Sequence, residues 1–183
     1  MTKKTLSDVN LNDAFGLATI MGAQDGIQDA LNERFLKTDW ELAWFLAYFF
    51  VFRVKMYLDD AGHTFEASKP GDVRLALLSW FAFMVSAAAS GKSVELAVEW
   101  FIAGLLVSIG WVLYSILRYR RAGVRYWCFL LFNFLHVGVL FLYGSVPAWL
   151  LFGVLIVFVL LDRRIIDTFD RGPDETGGVT LDR

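Results

Sequence analysis

The stretch that decides the fold is residues 94–117, VELAVEWFIAGLLVSIGWVLYSIL, in which no charged residue follows Glu99. A helix needs about 20 mainly apolar residues to cross the roughly 30 Å hydrocarbon layer of a bilayer. A soluble core does not require so long an uncharged run. The segment therefore predicts a transmembrane helix.

Further apolar runs flank this segment on both sides. One of them, residues 40–58, carries Arg53 and Lys55 near its end, and we expect these long side chains to reach the lipid headgroups. The composition agrees, since 57% of the residues are hydrophobic and 20% are charged. The apolar runs predict five spans in all. The spans are residues 40–58, 74–90, 94–117, 126–143 and 146–161.

Residues 11–36 differ because Asp25, Asp29 and Glu33 form a row at helical spacing, opposite an apolar side. Each carboxylate at the centre of a bilayer costs roughly 2.5–3.5 kcal/mol. We expect an amphipathic helix that lies at the interface or packs on the other helices. The row is then either a solvated face or an acidic vestibule.

The predicted fold class is all-α, a polytopic membrane helix bundle of about five transmembrane helices with an amphipathic N-terminal helix. Four spans follow if residues 40–58 lie in the interface, and six if residues 11–36 cross. We divide the chain into an N-terminal amphipathic region (1–38), a transmembrane bundle (39–161) and a partly disordered cytoplasmic tail (162–183).

Basic residues predict the orientation. The loop between the third and fourth spans is rich in arginine, a basic pair follows the last span, and short basic loops stay cytoplasmic. We expect a cytoplasmic C-terminus in a bacterial or archaeal cytoplasmic membrane. Five spans then put Lys3 and Lys4 outside, a conflict that four or six spans would remove. The loop arginines bind anionic headgroups or a cytoplasmic protein partner; they are Arg118, Arg120, Arg121 and Arg125.

Polar residues inside predicted spans are the candidates for function. Asn133 and His136 share a helix face, where they either line a path for protons or ions or form an interhelical hydrogen bond. Glu95 and Glu99 share a face at the start of a span. They either ring a cation pore in an oligomer or reach the interface. Asp25 and Asp29 complete the polar-path candidates.

Small residues recur every four positions in two neighbouring spans. Such ladders let membrane helices approach closely, within one chain or between copies. The predicted packing positions are Ala82, Ser86 and Ser90 in one span and Gly104 and Ser108 in the next.

Several classes of function are disfavoured. One cysteine, Cys128, cannot form an internal disulfide, and two histidines, His63 and His136, cannot make a multi-histidine metal centre. The net charge of −2 comes without a basic stripe for nucleic acid. Phosphate-loop, Gly-x-Ser-x-Gly and HExxH motifs are missing from the sequence. We expect no enzyme activity, no cofactor, no bound metal and no nucleic-acid partner.

We expect a homo-oligomeric channel or pore-forming protein, since so small a chain has little room for an internal path. The alternative is a non-conducting sensor, effector or structural subunit that works through a cytoplasmic partner. In either case we expect the chain to lie in the lipid bilayer.

Overall fold

The computed structural model describes residues 39–60, 70–119 and 124–170, together with Gln28, and these residues are helical or form turns. No strand occurs in that part of the chain, so the all-α class is confirmed there. The helices are α1 (Trp40–Asp60), α2 (Pro70–Ala89), α3 (Val94–Tyr119), α4 (Val124–Leu140) and α5 (Ala148–Asp170).

Local chemistry sets where the helices begin. The Asp39 carboxylate accepts a hydrogen bond from the Leu42 amide (3.1 Å) and caps α1. The Ser93 hydroxyl accepts one from the Leu96 amide (3.3 Å) and caps α3. Pro70 is the first residue of α2, where its missing amide hydrogen costs nothing.

The helix predicted to reach residue 143 ends earlier, at Leu140. The amides of Leu142 and Tyr143 bond back only three residues, which tightens the last turn. Gly144 then adopts a φ of +82°, a conformation that glycine reaches without steric cost. The chain turns here and enters α5.

By length and composition, one described helix, Val94–Arg118 within α3, can cross a membrane. The apolar parts of α2 and α4, Arg74–Ala89 and Tyr126–Leu140, are shorter. Charged residues interrupt α1 and the end of α5. The five spans therefore remain a prediction. The span predicted at residues 94–117 coincides with the one described helix that is long and apolar enough to cross a membrane.

Neighbouring helices pack in the order α1, α5, α4, α3, α2. The Phe45–Phe152 ring contact and the Lys55–Asp162 ion pair have the same sequence offset, so α1 and α5 run in parallel. The tight turns make α2 and α3, and likewise α4 and α5, antiparallel neighbours.

The centre of the bundle is an aromatic cluster built mainly from one face of α1. Phe101 of α3 contacts four aromatic rings of that face, with centroids 5.0–6.4 Å apart. Phe83 of α2 and Phe152 of α5 join from either side. Such pairs each add about 0.5–1.5 kcal/mol beyond their burial. The α1 rings are Phe45, Tyr48, Phe49 and Phe52.

The predicted small-residue ladder lies between α2 and α3 of the same chain. The Ser86 hydroxyl donates to the Ala97 carbonyl (2.6 Å). Ser79, which the sequence analysis did not select, donates to the Gly104 carbonyl (3.1 Å) and lies 2.5 Å from the Ser108 hydroxyl. Ala82 is buried in α2, and Ser90 is buried in the turn that follows, where its hydroxyl donates to the Ala87 carbonyl.

Gly104→Ala is expected to lower the free energy of unfolding by about 1–3 kcal/mol, the usual cost of overpacking. A Cβ at this position would lie 2.8 Å from Cε1 of Phe83, a fully buried ring that packs against the rings of Phe52 and Phe101. Gly110→Ala is the control, because nothing lies within 4 Å of its added Cβ. Unfolding of the two purified variants in detergent, followed by circular dichroism, measures the difference. Equal effects would contradict the close α2–α3 packing.

Candidate functional site: a buried polar row

Five buried polar side chains belong to α1, α4 and α5, and we call them the polar row. All are at least nine-tenths buried, with exposed fractions of 0–6%. Buried polar groups are costly in apolar surroundings, so a cluster of them is a place to look for function. The row consists of Tyr48 and Lys55 from α1, Asn133 and His136 from α4, and Asp162 from α5.

Lys55 and Asp162 form a buried salt bridge. The Lys55 ammonium also lies over the Phe129 ring, 5.1 Å from its centroid. The expectation that Lys55 reaches the headgroups is therefore wrong. The parallel helix α5 brings a carboxylate to the level of the ammonium, and pairing within the bundle replaces contact with water.

The same contact lies at the predicted boundary between the bundle and the tail, at residue 161. Helix α5 continues through this boundary to Asp170. Asp162, the first residue assigned to the tail, is inside the bundle. The reason is again the pairing with Lys55, which keeps this carboxylate among apolar side chains.

His136 is held by its own helix and by aromatic rings. Its Nδ1 lies 2.6 Å from the Phe132 carbonyl, so we assign the hydrogen to Nδ1, which leaves Nε2 as the acceptor in the neutral ring. The ring stacks on Tyr48 with centroids 5.9 Å apart. Phe52 and Phe158 meet it edge to face.

Outside the Lys55–Asp162 ion pair, the Tyr48 hydroxyl oxygen, Asn133 Nδ2 and His136 Nε2 have no hydrogen-bond partner within the described residues. A buried polar group without a partner costs about 1–3 kcal/mol. Native interiors leave few such groups, and each calls for an explanation. The described residues therefore leave part of the hydrogen-bonding capacity of the row unused.

Glu95 and Glu99 lie in a different part of the bundle from Asn133 and His136. Both glutamates are exposed on α3, while the other two residues face the interior. The structure therefore does not bring the predicted polar-path candidates together. Asn133 and His136 cannot line a space between copies of this fold. Asp25 and Asp29 lie outside the described residues.

The end of the bundle that holds the α4–α5 turn is acidic. The Tyr143 hydroxyl donates to a Glu41 carboxylate oxygen at 2.5 Å and links this turn to the start of α1. Burial raises the pKa of Tyr143, and the hydrogen bond to Glu41 and the charges of Glu41, Glu95 and Asp39 raise it further. We call these three carboxylates the acidic end.

The opposite end carries arginine. Arg118 is exposed at the end of α3. Arg163 and Arg164 follow Asp162 on α5, and we call these three arginines the basic end. Of the other predicted anchors, Arg120 and Arg121 lie outside the described residues, and Arg125 is described in backbone only, within α4.

In the part of the chain that the structure describes, no group of three or more metal-binding side chains occurs. Cys128 is half-buried on α4. The Lys55 ammonium neutralises Asp162 and so competes with any cation for that carboxylate.

Comparison of the chain with protein-family models, curated proteins and solved structures finds no match. Function therefore has to be inferred from the polar row, the charged ends and the exposed surface.

Lys55→Met and Asp162→Asn are each expected to lower the free energy of unfolding by about 3–5 kcal/mol, because each leaves one buried charge unpaired. The double variant Lys55→Met/Asp162→Leu should lose less than the sum of the two. Lys92→Met, in the exposed 91–93 turn, is the control and should change stability by about 0.5 kcal/mol or less. Additive losses in a double-mutant cycle would contradict the pairing.

Proposed function

We propose that this chain is a polytopic integral membrane protein whose five described helices cross the bilayer. The supporting observation is the outward surface between the acidic and basic ends, which is apolar on several helices. Large side chains exposed there include Phe50 (68%), Leu131 (58%) and Leu160 (58%). On α5, every exposed position from residue 149 to 161 is apolar. Soluble monomers rarely expose contiguous apolar patches of more than a few hundred Å².

Charged residues within the helices fit this placement. Lys55 and Asp162 neutralise each other inside the bundle, so neither is presented to lipid. The remaining charges of the described helices concentrate toward the two ends. Because basic segments stay on the cytoplasmic side, we place the basic end and the C-terminus in the cytoplasm of a bacterial or archaeal cell.

We further propose that copies assemble into a homo-oligomeric cation channel with the pathway between protomers. The observation that carries this is Glu99, an exposed carboxylate about 7.5 Å beyond the start of α3 at 1.5 Å per residue. Its neighbours Leu96 and Trp100 are also exposed. A carboxylate facing lipid is costly, whereas one facing a hydrated space between copies is not.

Other features of the structure support a pathway between protomers rather than through one. Aromatic rings fill the interior at the level of Phe101. On the outer face of α3, Gly110 has open space where a side chain would be, which allows a second helix to approach. The carboxylates of the acidic end would raise the local concentration of cations.

The second candidate is a non-conducting sensor, effector or structural subunit. The filled interior and the internally paired charges favour it, because a protomer that stays monomeric has no evident path. The basic end would then bind anionic headgroups or a cytoplasmic protein partner.

Glu99→Gln is expected to lower the cation-over-anion selectivity of channels in liposomes about fivefold, because a charge about 4 Å from an ion in water is worth about 1 kcal/mol. Glu99→Asp keeps the charge and should keep the selectivity. The reversal potential in a salt gradient measures both, and native mass spectrometry gives the oligomer mass. A strict monomer without conductance would contradict the channel and favour the second candidate.

A further inference from the structure

The polar row contains more hydrogen-bonding capacity than its own members satisfy. Asn133 Nδ2 has hydrogens to donate, His136 Nε2 has a lone pair to accept with, and the Tyr48 hydroxyl can do either. All three side chains are buried, with at most 4% exposed. Donors and acceptors therefore occur together, on two facing helices.

The positions of these groups make one small region. Asn133 and His136 are three residues apart on α4 and so share a face. The His136 ring stacks on the Tyr48 ring of α1. Along α1, Tyr48 lies two turns from Lys55, about 10 Å by helical rise. The row thus extends from the buried ion pair toward the middle of the bundle.

Apolar side chains close the row on the side of the acidic end. Leu42, Phe45 and Phe152 are fully buried there. The Phe152 ring contacts both Phe45 and Tyr48, with centroids 5.7 and 5.9 Å apart. Between Tyr48 and the Glu41–Tyr143 hydrogen bond the interior is therefore apolar, and the polar part is confined to the half nearer the basic end.

We propose that the polar row is an internal water-binding site between α1, α4 and α5. Water both donates and accepts, so one or two molecules can satisfy an amide donor, an imidazole acceptor and a phenol together. An ion fits less well, because the charges of Lys55 and Asp162 already cancel. The site does not depend on whether the chain conducts, and it gives His136 a partner for proton exchange.

Radiolytic hydroxyl footprinting of the wild-type protein in detergent tests this directly. Radicals formed from bound water oxidise the adjacent side chains even where bulk solvent does not reach. Tyr48 and Phe45 are equally buried at 0% exposed, but only Tyr48 lies in the row. We expect Tyr48 to be oxidised at least fivefold faster than Phe45. Equal, slow rates would overturn the proposal.

Thermal unfolding gives a second test, with Tyr48→Phe as the variant that keeps the ring and removes the hydroxyl. If the hydroxyl binds water, Tm should fall by about 2–4 °C, the shift typical of one lost hydrogen bond in a chain of this size. The Tm of the Asn133→Leu variant should fall by a similar amount. Tyr126→Phe, at a half-buried position outside the row, is the matched control and should leave Tm unchanged. A Tyr48→Phe protein with an unchanged or higher Tm would overturn the site, because removing an unpartnered hydroxyl costs nothing.

Discussion

The interaction on which the rest of the structure depends is the buried ion pair between Lys55 and Asp162. Two charges in apolar surroundings are tolerable only together, because each alone carries a desolvation cost of several kcal/mol. Pairing fixes α1 beside α5, in parallel and in one register. That register also stacks Phe45 on Phe152 and turns the aromatic face of α1 toward the other helices. One face of α1 therefore supplies most of the rings of the aromatic cluster, although the composition of α1 is less apolar than that of α3.

With that pair neutralised inside, Glu41, Glu95 and Asp39 lie at one end of the bundle and Arg118, Arg163 and Arg164 lie toward the other. Large apolar side chains are exposed on the surface between them. The interior of a protomer is then a packed aromatic cluster beside a short polar row. This arrangement is why we propose a conducting path between protomers, along the exposed carboxylates of α3, and bound water in the interior row.

Much of the fold could be predicted because it is local. The lengths of the apolar runs placed the helices around residues 94–117 and 126–143. The short connection at residues 91–93 makes α2 and α3 an antiparallel pair. The pairing of Lys55 with Asp162 could not be predicted, since it depends on which helices become neighbours. Nor could the sequence separate inward His136 from outward Glu99. A helix that is apolar on all sides has no contrast to fix its rotation, so only the tertiary contacts decide which face is buried.

The central claim, that these helices cross a bilayer with opposite charged ends on opposite sides, is tested most directly by cysteine accessibility. On a Cys128→Ser background, Ser145→Cys probes the acidic end and Arg164→Cys the basic end. In intact cells a membrane-impermeant thiol reagent should label position 145, and it should label position 164 only after lysis. Labelling of both positions from one side, or recovery of the chain in the soluble fraction, would contradict the account.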